Sequence, residues 1–278
     1  MAEVTYSNEN VLEQDPWDLP IEDINPAQPE LFANNLHWEY FAGLRKEAPV
    51  HYCKDSIVGP YWSVTRYKDI KYVDTNHDLF SSEPNIVLQD QDEDFPLPMF
   101  IAMDPPKHDN QRKEVAKVAG PRNLKALEPA IRSRVCGILD ALPVGEPFNL
   151  VEKVSIELTT QMLATLFDFP FEERAKLTRW SDVATAAPGM GIVDSEEQRQ
   201  AELIECLERF TELWNERVNA EPSNDLISML AHGESTRDMA PMEYLGNLIL
   251  LIVGGNDTTR NSITGGVLAL NENPAQYD

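Results

Sequence analysis

Two short stretches carry side chains whose types and spacing could do chemistry. In Gly254-Gly255-Asn256-Asp257-Thr258-Thr259, bare backbone, an acid and two hydroxyls follow directly on the apolar run Leu248 to Val253. The apolar pattern resumes at Ile263, Val267, Leu268 and Leu270, and nothing between Pro241 and Pro274 has to break a helix. The spacing therefore predicts one long helix with a flaw in its middle. Two adjacent glycines inside a helix cost roughly 2 kcal/mol against alanine, and such a local conflict marks functional sites more often than carelessness. By three-and-four spacing, Leu250, Val253, Gly254, Asp257 and Thr258 share one face. That face offers an apolar approach, backbone against which a small ligand could sit, a proton donor and a hydroxyl. The competing reading is a helix that ends at the glycines, with Asp257 or Thr258 capping the next.

The second stretch is Asp104-Pro105-Pro106-Lys107-His108-Asp109-Asn110-Gln111-Arg112. Asp followed by proline early in the first turn is a helix start. His108 and Arg112 then stand at i and i+4 on one face. Stacked donors of this kind suit a pair of carboxylates, and Arg can clamp one through two parallel hydrogen bonds. The alternative is a solvated helix face. A metal site at Asp104 and His108 would lack further His or Cys ligands nearby.

Gly254 to Thr259 resembles the central distal helix of the cytochrome P-450 family, the haem-thiolate monooxygenases. Met103 to Arg112 resembles the start of that family's haem-contacting helix, and the two stretches come in the family's order. Phe100 to His108 and Asn256 to Ser262 look most like the soluble bacterial alkane and fatty-acid terminal hydroxylases. The resemblance implies a mainly α fold with a small β region, built around haem b. It implies hydroxylation of an aliphatic C–H bond at a terminal carbon, using O2 and electrons from NAD(P)H through ferredoxin reductase and ferredoxin. Under it, His108 and Arg112 hold the haem propionates, and Gly254 and Gly255 leave room against the cofactor. Asp257 and Thr258 relay protons, while Leu250 and Val253 hold a small apolar substrate. Residues 76–104, a polar loop carrying Ile86, Val87, Leu88, Phe95, Leu97, Met99 and Phe100, would cover the substrate, or simply tuck apolar groups onto the core. Lys107, Lys113, Lys117, Arg122 and Lys125, the most basic stretch, would receive an acidic electron carrier, or are ordinary helix-surface charge.

The chain departs from the family at the iron ligand. The family's cysteine follows the central helix and has glycine four residues before it; Cys53, Cys136 and Cys206 have Pro49, Arg132 and Glu202 there, and all precede that helix. Glu196-Glu197-Gln198-Arg199 and Glu234-Ser235-Thr236-Arg237 match the letters of the family's Glu-x-x-Arg pair but also come too early. The expectation is an incomplete P-450 fold: the N-terminal part of one domain over residues 1–278, inactive by itself, with the ligand cysteine beyond Asp278. Without thiolate there is no electron push for O–O cleavage. A reading from another class is a haem-free, all-helical ligand-binding or scaffolding protein, with the glycines a mere junction.

The elements that must position these groups are mostly helices. Residues 1–35 read as an extended surface arm, with Trp17, Leu19, Ile21 and Ile24 as anchors. A helix from His37 to Lys46, a hairpin around Gly59-Pro60 and a helix from Tyr67 to Thr75 with Ile70 and Val73 inward follow. Helical periodicity then covers Leu124–Leu142, Leu150–Phe167 with a stripe at Val151, Val154, Leu158, Met162, Thr165 and Leu166, Phe171–Ala186, and Asn224–Ala231. Ser195 caps a long helix to about Asn219 with Leu203, Leu207, Phe210, Leu213 and Trp214 inward. Pro188 to Gly191 reads as a hinge in a mobile roof over the substrate, or as a plain loop. The net charge of −24 argues against nucleic acid as partner. Three well-separated cysteines give no disulfide framework and point to a reducing compartment. The polar, acidic N-terminus is no signal peptide, and no apolar run is long enough to span a bilayer, so the expected location is cytoplasmic.

Overall fold

The computed structural model describes residue 15 and residues 17–277. These fall into two compact units that divide between Asp92 and Glu93. The fold is mainly helical, with one antiparallel pair of strands as its small β region.

The first unit holds α1 (Pro29–Ala33), α2 (His37–Glu47), β1 (Val50–Cys53), β2 (Tyr61–Val64) and α3 (Tyr67–Asp74). The strands pair from Val50 opposite Val64 to Cys53 opposite Tyr61, as the β-type runs predict. Gly59 in the connection takes φ +79°, where a side chain would be strained. Of the expected surface arm, residues 1–14 and 16 lie outside the described residues. The remainder is not simply extended. Pro29 opens α1, where its missing N–H costs nothing, and Ile24 and Leu31 are buried with Tyr40 and Leu44. Ile70 of α3, expected to face inward, is 46% exposed.

The second unit holds α4 (Lys107–Val115), α5 (Pro121–Asp140), α6 (Glu157–Phe167), α7 (Ala175–Thr185), α8 (Glu196–Arg217), α9 (Leu226–His232) and α10 (Pro241–Glu272). A widened π-type stretch, Val151–Ile156, leads into α6. Phe167, Phe169, Trp180 and Phe210 form the aromatic centre of its core, with ring centroids 5.3 to 6.0 Å apart and mostly inclined planes, the geometry that aromatic quadrupoles prefer. α8 starts as predicted: Ser195 Oγ accepts from Gln198 N, and the Gln198 side chain reaches back to Asp194 N. Leu203, Phe210 and Leu213 of its expected stripe are buried, with Leu207 and Trp214 packed at the edge. α6 is rotated from expectation. Its buried face is Thr159, Thr160, Leu163, Ala164 and Phe167, whereas the apolar stripe at Val154, Leu158 and Met162 is half-buried. The hydroxyls can be buried because each finds a partner.

α10 runs unbroken through Gly254-Gly255, so the helix-junction reading does not hold. Its first half overrides the propensity penalty. Leu245, Leu248, Ile249 and Ile252 are buried at 5% exposure or less, and each such side chain contributes about 1.5–3 kcal/mol. That exceeds the roughly 2 kcal/mol that two glycines cost. Among the described residues no helix is long and apolar enough to cross a membrane.

Candidate active site

The second half of α10 is buried on one side alone. Gly254, Thr258, Asn261, Ser262 and Gly265 are exposed, Leu250, Val253 and Asp257 are half-buried, and Asn256 between them is buried. The predicted face therefore exists as a face. Its two glycines serve different ends. A Cβ on Gly254 would meet no atom within 4 Å, so this backbone borders open space. A Cβ on Gly255 would come within 2.6 Å of Leu163 Cδ2, so that glycine admits α6.

Thr258 Oγ1 donates to the Gly254 carbonyl four residues back, at 2.7 Å. This local bond competes with the helix ladder and slightly loosens it. Asp257 does not stand alone. Its Oδ1 accepts from Arg260 Nη2, and the same guanidinium donates to Asp182 Oδ1 of α7 from both terminal nitrogens at 3.2 Å. Arg260 thus ties the candidate proton-relay acid to the neighbouring helix. Sequence reasoning missed it, because Asp182 is 78 residues away and Arg260 carries no motif of its own.

A buried polar network fixes the approach to α4, and sequence reasoning missed this too. Asn247, fully buried on α10, accepts from Phe100 N at 2.8 Å and donates to Gln111 Oε1 at 3.1 Å. Gln111 in turn donates to Glu243. Gly246 makes the close approach possible, since a Cβ there would lie 2.1 Å from the Pro98 carbonyl oxygen. A buried Asn within an apolar run was the readable signal.

On α4, His108 Nδ1 lies 2.7 Å from the Phe100 carbonyl, so it carries the proton of that hydrogen bond. Nε2 can then donate to an anion only when the ring is doubly protonated. Arg112 is exposed, and among the described residues it has no hydrogen-bond or ion-pair partner. Of the expected basic surface, Lys107 is taken up by Glu243 at 2.9 Å; Lys113, Lys117, Arg122 and Lys125 are exposed. The cysteines offer no thiolate beside this face. Cys206 is fully buried on the inner face of α8, where burial first and then the Glu205 charge push its thiol well above the ordinary range, and Cys136 is exposed on α5.

Two features suit a flat, anionic cofactor: backbone at Gly254 that no described atom obstructs, and the Arg112 guanidinium, uncommitted among the described residues. No family model matches the chain. It is 31% identical to linalool 8-monooxygenase of Pseudomonas putida over 90% of its own length and 64% of that protein's. It is 29% identical to a methyl-branched lipid omega-hydroxylase of Mycobacterium bovis, over 95% of this chain and 64% of the relative. Its fold superposes on CYP153D17 from Sphingomonas sp. PAMC 26605 with a TM-score of 0.81 and 45% identity, covering 93% of this chain and 66% of that one. Helices around an open-faced central helix, with relatives of this kind, define a cytochrome P-450 fold. The chain belongs to the cytochrome P-450 family. It spans 56–64% of the length of the curated relatives it matches.

Proposed function

We propose that the protein to which these residues belong is a haem-dependent monooxygenase that hydroxylates aliphatic C–H bonds of the alkane or fatty-acid type, at a terminal carbon. It would use O2 and electrons passed from NAD(P)H through ferredoxin reductase and ferredoxin in the cytoplasm. Both units would belong to one P-450 domain. The observation that carries this reading is the open backbone at Gly254, one turn before the Thr258 hydroxyl and beside Asp257. The name of the omega-hydroxylase relative supports the terminal position.

Haem, when bound through a cysteine thiolate, supplies the iron that activates dioxygen and delivers one oxygen atom to the substrate. The ligand thiolate is none of Cys53, Cys136 and Cys206. Arg112 would clamp one propionate through parallel hydrogen bonds, and His108 would stand beside the other. Leu250 and Val253 would line the substrate side with apolar contacts, which discriminate weakly per methylene. Asp257 takes a proton from solvent and passes it on, held in reach by Arg260. Thr258 exchanges its bond to the Gly254 carbonyl for one directed into the open space. The exposed lysines of α4 and α5 suit an acidic electron carrier.

The test is spectroscopic. The protein expressed from its whole gene, reduced under carbon monoxide, should give a thiolate-type haem spectrum. Addition of n-octane or dodecanoic acid should then shift the ferric spin state, and cholesterol should not. A spectrum without thiolate character removes the monooxygenase reading; a spin shift with cholesterol alone moves the substrate class to sterols.

A further inference from the structure

α6, with the π-type stretch that leads into it, meets α10 along three rungs. Ser155 Oγ and Thr264 Oγ1 are 2.8 Å apart, Thr159 Oγ1 and Asn256 Oδ1 are 2.9 Å apart, and Leu163 packs where Gly255 lacks a side chain. Asn256 lies about half a helical turn from Gly254, so this seam is the back of the open face.

The middle rung does not balance as drawn by its nearest atoms. Thr159 has one hydroxyl proton and three acceptors in reach: Ser155 O at 3.0 Å, Ile156 O at 3.1 Å and Asn256 Oδ1. Asn256 is fully buried, and its Nδ2, with two protons to give, has no partner among the described residues. Turning the amide end for end settles both. Nδ2 then gives one proton to Thr159 Oγ1, whose own proton goes to the Ser155 carbonyl, and what is left over is one amide N–H and the carbonyl oxygen in place of two amide N–H groups. We propose that Asn256 is a positioning residue: its amide donates to Thr159 and thereby fixes the rotation of α10 that presents Gly254, Asp257 and Thr258 to the cofactor side. This rests on the monooxygenase reading for what that face does. An apolar pair at the same place would pack but would tolerate small rotations; a hydrogen bond in a single register does not.

The test uses Asn256→Leu, Thr159→Val and the double variant in the haem-loaded protein. Each single change strands a buried polar partner and should lower Tm by about 5 °C. The double variant, with both partners apolar, should regain most of that loss. With n-octane as probe, it should still release several-fold more peroxide per reducing equivalent than wild type. Recovery of both Tm and coupling would make the rung merely structural and overturn the proposal, as would a Thr159→Val protein of unchanged Tm. The donor role is read separately on the apoprotein with Asn256→Asp. A buried acid donates to Thr159 only when protonated, so its folded pKa lies above the unfolded value of about 3.9. The Tm deficit should be small below that value and grow as pH rises through the folded pKa. The charged groups on the adjoining stretch of α10 and on α7 are Asp257, Arg260 and Asp182, which pair with one another; α6 presents the Thr159 hydroxyl to Asn256 and Leu163 to Gly255. A deficit constant between about pH 4 and 8 would make Asn256 an acceptor and overturn the assignment. If the wild-type protein shows no haem-thiolate spectrum, the parent reading fails and the positioning role with it, while the Tm series still reports on the rung.

Discussion

Thr258 illustrates how one residue can be both settled and ready. Its hydroxyl is satisfied by the Gly254 carbonyl at 2.7 Å, yet the side chain is exposed on the open face, so reorientation costs little more than that one bond, about 1 kcal/mol. Thr258→Ala should therefore leave stability within about 1 kcal/mol and lose coupling: reducing equivalents consumed, peroxide released, little product. Coupling at the wild-type level would remove Thr258 from the proton path. The glycines give a sharper contrast, because neighbouring residues should respond with opposite signs. Gly254→Ala meets nothing and gains up to about 1 kcal/mol of helix propensity, so Tm should rise by about 3 °C while haem or oxygen binding weakens. Gly255→Ala drives a Cβ into Leu163, an overpacking of about 1–3 kcal/mol, and Tm should fall. Equal responses would refute the division between the two positions. The sequence made these residues legible as a group. It could not say which glycine faced which way, because that depends on the rotation of α10 against α6.

At the scale of elements, α7 and α8 are joined by a two-pronged ion pair. Arg179 Nε and Nη2 donate to the two oxygens of Glu202 at 2.6 and 2.5 Å. The Arg179 hydrogen bonds, opposed by partial burial, hold the Glu202 carboxyl below the usual carboxylate range. A depressed folded pKa adds stability that is present above the unfolded value, about 4.3, and is lost as pH falls through the folded one. Glu202→Gln should flatten the acid limb of a Tm-against-pH curve and lower the plateau by about 1 kcal/mol or less, since Arg179 is partly exposed. An unchanged acid limb would show that the pair does not matter to folding. Helix existence and one cap were readable here: Ser195 caps α8 as predicted, and α10 runs as the apolar spacing predicts, whereas Asp225, which caps α9, was placed inside its helix. What was not readable is what crosses between helices. The stripe assigned to α6 failed because hydroxyl residues, scored as polar, bury well once paired. Asn247 and Arg260 were passed over because their partners, Phe100, Gln111 and Asp182, lie far off in sequence. α1 was lost because Pro29 was read as punctuation and not as a first-turn residue.

At the scale of the whole molecule, the match to P-450 structures is legible in two short stretches, and on the proposed function the chemistry needs a thiolate other than Cys53, Cys136 and Cys206. These 278 residues produced alone should therefore show no thiolate-type haem spectrum. They should also bind a hydrophobic dye such as ANS, because Val267 and Leu268 remain 37% and 59% exposed on α10. A thiolate spectrum from them would contradict the assignment of the cysteines.

The asymmetry along α10 also bears on the order of events in folding. Tyr244 to Ile252 closes a core whose other members, from Phe100 to Leu230, precede it in the chain. That half can dock as soon as it is synthesised, and nucleation there needs nothing beyond residue 253. The half bearing Thr258 gains fewer buried contacts and has to extend from an established turn. In pulse-labelling exchange during refolding, the amides of 245–252 should become protected before those of 258–270, and simultaneous protection would mean that the helix forms as one unit. The stretch bearing Asp257 and Thr258 is then a late extension of an early nucleus, and its alignment is inherited from a part of the helix that is fixed before it.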